Sequence, residues 1–395
     1  MIRFSPENTL PVYLQTLLHP GTYYARRFLG GNRLGIGRVA RRTIQLCPGR
    51  RFRAHSPFHL EDHYDRIRAT PNYTPRQIVD EHLCRRTIDF PPLSVHWVDD
   101  AWFIDGSLYV AGAQRVELGS IYSPKSVLRR LLPPWVSPFE QLDDGVLVGG
   151  CAGASWFGHW LEDDLPALTL AREYGKPVGA SRPAYRHEAG YLAELGFEAP
   201  QAIGVGRVDS LVIIEEFAQN PHKTRRYAGL RRTLAAREGR ERVYLYRGDS
   251  GSPRRMVNEA VLAERLAREG FQIVDIGRAS FRDIAAACRG AAVVAGIEGS
   301  HLAHALFMMR DYGTLLILSP PNQVHTTVAD IGVFCRLASG LFVCAGADGQ
   351  GGFIADPDEV LGFLDPLLRA SAAGRPELAA YVDEVVALAD ADDNR

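Results

Sequence analysis

Lysine is almost missing from this chain. Lys125, Lys176 and Lys223 are three of its forty-five basic residues, and arginine supplies the rest. A bias of that breadth reflects genome composition before function. The six cysteines (Cys47, Cys84, Cys151, Cys288, Cys335, Cys344) lie far apart with no Cys-x-x-Cys pair. That excludes a zinc ribbon or a disulfide framework and reads as reduced thiols. No apolar run approaches the roughly 20 residues needed to cross a bilayer. The first residues lack the basic-then-apolar pattern of a secretion signal, so the expected compartment is the cytoplasm. Net charge is lacking too, at −1 with 23% charged and 46% hydrophobic residues. Such a balance gives no push toward nucleic acid.

One absence is local. From Asn8 to Leu60 there is no acidic residue but nine arginines, among them Arg26, Arg27, Arg41, Arg42, Arg50, Arg51 and Arg53. The tail runs the other way, with Glu377, Asp383, Glu384, Asp390, Asp392 and Asp393. The basic stretch can face the inner membrane surface as a peripheral contact, an acidic glycan, or this tail.

What is present suits two domains of ordinary size. Residues 1–90 read as an irregular basic segment packing on the first domain. Residues 91–225 read as an N-terminal α/β domain, with a hairpin signal around Asp105-Gly106. Residues 226–352 alternate strand and helix: "RVYLYR" at 242–247, a helix at 253–270 opened by Pro253, then "FQIVDIG", "SFRDIAAACRG", "AAVVAGI" and "TLLILSP". Strands and helices in that rhythm predict a parallel sheet wrapped on both faces. Residues 353–395 read as C-terminal helices that can cross back to the first domain.

Three stretches carry chemistry. In "GIEGSHLAHALF" (296–307) a strand ends, Glu298-Gly299 turns, and Ser300 opens a helix. Exposed N–H groups at such a start suit phosphate, and Gly299 lets a ligand approach the backbone. Ser300 can cap the helix or donate to a ligand oxygen. His301 and His304 share a face, where satisfied core histidines are a commoner outcome than a metal pair. In "YLYRGDSGSPRRMVNE" (244–259), Arg247 closes a strand while Arg254 and Arg255 open the next helix, where guanidiniums can take phosphate oxygens in pairs. In "FGHWLEDDLPAL" (157–168), His159 and Asp163 are one helical turn apart, so the carboxylate can fix the tautomer of a general base. Asp164 is expected to cap a second turn opened by Pro166.

Taken together and in this order, the stretches resemble glycosyltransferase family 61. The first-half segment supplies Phe157, His159, Trp160, Leu161, Asp163 and Pro166, and the second Arg247, Arg254, Arg255, Asn258 and Glu259. In the third, Gly296, Gly299, Leu302 and Phe307 match. There Glu298 stands for the usual His, Ser300 for Ala, His301 for Gly and His304 for Asn.

The resemblance implies a GT-B-like α/β fold, with two Rossmann-like domains facing across a cleft. It further implies inverting transfer from a nucleotide-sugar donor, UDP- or GDP-linked, to a glycan or lipid-linked glycan acceptor in bacterial capsule or exopolysaccharide assembly. The implied catalytic residues are His159, Asp163 and Glu298. The implied donor-binding residues are Arg247, Arg254, Arg255, Asn258, Gly299, Ser300, His301 and His304. No cofactor, obligatory metal or nucleic-acid partner is expected.

Two other classes compete. A nicotinamide-dependent oxidoreductase would need G-x-G-x-x-G straight after a strand, and "GNRLGIGRVA" and "AIGVGRVD" lack the third glycine and the flanks. A glycan-binding or scaffolding subunit without catalysis would explain the altered third stretch.

Overall fold

The structure is a computed structural model. It describes residues 35–55, 61–70, 73–104, 107–110, 114–115, 139–216, 218–251, 254–347 and 352–394, with isolated positions before residue 35. The chain forms two compact units. Unit 1 holds residues 1–48, 91–185 and 198–218, and unit 2 holds 49–90, 186–197 and 219–395. The boundaries differ from the sequence reading because two segments, 49–90 and 186–197, pack with the C-terminal half.

Unit 1 is built on a mixed sheet. Its strands are β1 (Arg42–Cys47), β2 (Leu93–Ile104), β3 (Ser107–Val110), β4 (Phe139–Leu147), β5 (Pro177–Ala180), β6 (Gln201–Ile203) and β7 (Val205–Glu215). The order is β3-β2-β7-β4-β5-β6, with β1 on β2 and the two-residue strand Gln114–Arg115 on the outer edge of β3. β7 runs antiparallel to β2 and parallel to β4. The β2–β3 hairpin is present, with Ile104 opposite Ser107, although the Asp105-Gly106 turn lies outside the described residues. Val98, Ala101, Phe103, Leu147, Val178, Leu211 and Ile213 form the core. A helical run follows β4 and ends in α1 (Leu165–Ala171).

Unit 2 contains α2 (Glu188–Leu195), α3 (Pro221–Leu234), β8 (Arg242–Tyr246), α4 (Glu259–Arg268), β9 (Gln272–Asp275), α5 (Phe281–Cys288), β10 (Val293–Ile297), α6 (Ala303–Met308), β11 (Thr314–Ser319), α7 (Thr327–Phe334), β12 (Ala338–Val343) and α8 (Pro357–Asp393). Its five-stranded sheet is ordered β9-β8-β10-β11-β12 and all its pairings are parallel. β10, β11 and β12 are buried throughout, which explains their unbroken apolar reading. The first step, β8 to β9, goes one way across the sheet, and every later step goes the other. Right-handed crossovers therefore put α4 on one face and α5, α6 and α7 on the opposite one. Leu262 and Leu266 of α4 share their core with Val360, Phe363, Leu364 and Leu367 of α8.

Two expectations need correction, and a third matter, the partner of the basic stretch, falls in part on one of the alternatives offered. The helix predicted from Pro253 begins at Glu259 instead. Arg255 and Val257 exchange backbone hydrogen bonds with Phe353, and Met256 bridges to it, so residues 254–256 run alongside Phe353 before Val257 and Asn258 turn into the helix. The C-terminal helices are a single helix with Pro366 and Pro376 inside it, and it packs within unit 2. Part of the basic stretch is spent on the acidic tail: Arg50 pairs with Asp392 at 2.6 Å and Arg53 with Glu384 at 2.9 Å. Arg26 and Arg27 lie outside the described residues. Among the described residues, no helix is long and apolar enough to cross a membrane.

Candidate functional site

The order of the unit 2 sheet reverses between β8 and β10. In open parallel sheets, ligands bind beyond the strands' carboxyl ends at such a reversal. Arg247 directly follows β8 and Glu298 directly follows β10, so parallel pairing brings both to that edge. The exit of β8 is held by Glu259 on α4. Its carboxylate accepts from the N–H of Arg247 at 2.7 Å, the N–H of Gly248 at 2.9 Å and the Tyr244 hydroxyl at 3.2 Å.

Two guanidiniums meet at the end of β10. Arg247 Nη1 donates to the Glu298 carbonyl at 3.2 Å, and Arg254 Nη1 donates to the same oxygen at 3.0 Å. Arg254 Nε donates to Gln323 Oε1 at 2.9 Å. The Arg254 guanidinium also lies 2.7 Å from Glu298 Oε2, an ion pair in distance that lacks hydrogen-bond alignment at that oxygen. Arg247 is only 4% exposed. Burial pulls its pKa down, and Arg254 adds to that against Glu298 and Glu259. Burial raises the Glu298 carboxyl, opposed by Arg254 and then Arg247.

Gly299 turns this corner at φ 152° and ψ 170°, a region essentially reserved for glycine. A Cβ there would overlap Arg247 Nη1 and sit 3.1 Å from Arg254 Nη1 and 3.3 Å from His301 Nδ1. Burial, then Arg247, then Arg254 push His301 down to about 3, so its ring is neutral. Its Nε2 is buried with no hydrogen-bond partner among the described residues. The cluster has the make-up of an anion site: cationic forks and a neutral imidazole packed against a backbone corner that only glycine can make.

The structure thus gathers Arg247, Arg254, Glu298, Gly299 and His301, and not the other residues singled out. Arg255 is exposed. On an extended backbone neighbouring side chains face opposite ways, so Arg254 turns in and Arg255 turns out. The Asn258 amide clasps Ala355, donating to its carbonyl at 2.7 Å and accepting from its N–H at 3.2 Å. Ser300 does not cap, because Gly299 holds the cap position. The segment opens as a 3₁₀ turn, Ser300–Leu302, before the short α6, which makes it a weak backbone seat for phosphate. Positive charge comes from the arginines instead. His304 is a core residue. Its Nδ1 lies 2.6 Å from the Tyr191 hydroxyl, and its ring stacks on Tyr191 and meets His187 edge-on. Sequence reasoning passed over Gln323 and His325. The loop after β11 reaches the same edge as every other strand-to-helix loop of the sheet, and that was the available signal.

Unit 1 carries the other candidate. His159 Nδ1 and Asp163 Oδ2 are 2.9 Å apart, with both side chains about one-third exposed. An N–H donated to Asp163 leaves the lone pair on Nε2, the tautomer a base requires. Phe157–His159 is α-helical and Trp160–Asp164 is a π-turn. Pro166 has no N–H for the carbonyl four residues back, and the turn widens just before it. Asp164 holds the cap position of α1 as expected, but its side chain makes no cap hydrogen bond. It is buried and accepts from the Gly150 N–H at 3.1 Å. Trp156, 51% exposed, lies edge-on to His159 at 5.9 Å.

A buried cationic site at the reversal point of a parallel sheet and an oriented imidazole are parts a sugar-transfer enzyme can use. Residues 157–315 match the model of the family described as Glycosyltransferase 61. The match supports, as a class, a glycosyltransferase. The matched span, less than half of the chain, is similar to that family and contains His159, Asp163, Arg247, Arg254, Glu298 and His301. No curated protein matches the chain.

Proposed function

We propose that this protein is an inverting glycosyltransferase that moves a sugar from a UDP- or GDP-linked donor to a glycan or lipid-linked glycan acceptor. The bacterial setting that fits is assembly of a capsule or exopolysaccharide. In this reading Arg247 and Arg254 take the oxygens of the donor's diphosphate and neutralise the charge that grows as it leaves. His301 stays neutral, so it contributes a dipole, not a charge. His159, oriented by Asp163, removes the acceptor hydroxyl's proton. The oxygen so freed attacks the anomeric carbon, the bond to the diphosphate breaks, and the nucleoside diphosphate departs with the electron pair. The arginines and the imidazole do this work without a metal.

The observation that carries the reading is the convergence of two guanidiniums on the Glu298 carbonyl, at the edge where β8 and β10 diverge. A panel of nucleotide-sugars, read by thermal shift and by slow hydrolysis, tests it. At least one UDP- or GDP-sugar should stabilise the protein and release its nucleoside diphosphate. A panel in which none does either refutes the proposal. Binding with no hydrolysis and no transfer to any glycan supports a non-catalytic glycan-assembly subunit. The Glu298 carboxylate standing where phosphate would stand favours that alternative.

A further inference from the structure

Glu298 is an unusual neighbour for a diphosphate, because its carboxylate already sits on one of the guanidiniums that would receive phosphate. The ion pair with Arg254 is close, at 2.7 Å, and Glu298 is 6% exposed. The side chain cannot simply swing into water. Its main chain is pinned as well: its N–H donates to the Leu318 carbonyl at 2.9 Å and its own carbonyl holds both guanidiniums.

Among the described residues, the charged groups that act on this carboxyl are Arg254, from the segment that runs beside Phe353, and Arg247, from the exit of β8. His301 lies against Gly299, and Gln323 and His325, from the loop after β11, lie near Arg254. Glu259, the other carboxylate near Arg247, is engaged by two backbone N–H groups and a hydroxyl. Among the described residues, the acid paired with Arg254 is Glu298.

We propose that Glu298 is the resident counter-ion of Arg254, and that an anionic ligand enters this site only as Glu298 takes up a proton. This rests on the anion-binding reading of Arg247 and Arg254 and adds the coupling. Two anions held against one guanidinium in a desolvated pocket repel by several kcal/mol. Protonation removes that repulsion and turns the carboxyl into a hydrogen-bond donor to a phosphate oxygen. The proton comes from solvent and is returned when the anion leaves. Burial already favours the neutral form of this carboxyl, so the step goes with the local electrostatics. Affinity for diphosphate should then rise as pH falls, and Glu298 would make the empty site indifferent to weaker, singly charged anions.

The test is calorimetric titration of the full chain with inorganic pyrophosphate, in two buffers of equal pH and different ionisation heat. Wild type and Glu298→Gln are compared. The ligand's own titration is common to both proteins and drops out of the difference. The expected result is about one more proton taken up per pyrophosphate by wild type near neutral pH. Glu298→Gln should bind about tenfold tighter or better there, with its advantage shrinking as pH falls. Wild type titrated with sulfate, which has no ionisation of its own near neutral pH, gives a proton count that needs no variant, and that count should also approach one. Equal proton uptake and equal affinity in the two proteins overturn the coupling and leave the anion site standing. No binding to either protein overturns the anion site and this inference with it.

Discussion

Gly299→Ala is the sharpest perturbation of the unit 2 site, because two independent costs fall on one methyl group. The first is conformational. At φ 152° and ψ 170° a residue with a Cβ is held in a region costing of order 1–3 kcal/mol. The second is steric: the methyl overlaps Arg247 Nη1 and comes within 3.1 Å of Arg254 Nη1. The tip of an arginine can move, but this one is buried and bonded to the Glu298 carbonyl at 3.2 Å. Displacing it forfeits a charged hydrogen bond of roughly 1.5–3 kcal/mol. The two together come to about 2.5–6 kcal/mol, a large part of a domain's total stability. For a unit of this size that is a loss of roughly 5–24 °C in Tm. Thermal and urea unfolding read the first effect, and pyrophosphate titration reads the second. Affinity should fall about tenfold or more as Arg247 leaves its place. A variant melting within about 2 °C of wild type and binding pyrophosphate equally well would refute the packing of Gly299 against Arg247.

Three other outcomes are expected. His159→Ala should lower turnover on the order of 10²-fold or more while donor binding stays near normal, and near-wild-type turnover removes His159 as the base. Arg254→Ala should weaken pyrophosphate binding about tenfold or more, whereas Arg255→Ala should leave it within about twofold; a reversed ranking would mean that residues 254–256 lie in the other register. Asp330 pairs with Arg85 at 2.8 Å and is raised to about 6, chiefly by burial. Its folded value exceeds the unfolded one, so its contribution is full below about pH 4 and is lost as pH rises to about 6, by up to about 3 kcal/mol. The difference in unfolding free energy between wild type and Asp330→Asn should follow that slope, and a flat difference from pH 4 to 7 would contradict it.

Much of the unit 2 sheet is legible in the sequence because its strands are buried on both faces. "RVYLYR", "AAVVAGI" and "TLLILSP" read as strands, and each is one. The helix start at Pro253 misled for a tertiary reason. Proline near a first turn is a sound local signal, but Phe353, almost a hundred residues on, recruits Arg255 and Val257 into backbone pairing. The segment 49–90 looked shapeless on similar grounds. Arg50 and Arg53 find their acids more than 300 residues away, on α8, and no local pattern carries that information.

The candidate site divides along the same line. Residues whose role follows from chain direction were readable: Arg247 and Gly299 follow strands that the alternation of strands and helices makes parallel, and the structure pairs those two strands directly. His159 and Asp163 were readable because one helical turn suffices to join them. Residues whose role depends on which way a side chain turns were not. Arg254 and Arg255 are chemically identical neighbours, and only the extended backbone, enforced from Phe353, sends one inward and the other outward. The family resemblance made Asn258 a donor-binding residue and matched Glu259 beside it as a motif position only. One is spent holding the Ala355 peptide and the other the exit of β8, and both tasks serve the same end. An arginine held against a second positive charge away from water must have its backbone fixed on every side, or the pair would relax apart. The polar residues around Arg247 and Arg254 therefore act as the frame that keeps two like charges together, and a ligand carrying opposite charge gains from the repulsion that the frame has already overcome.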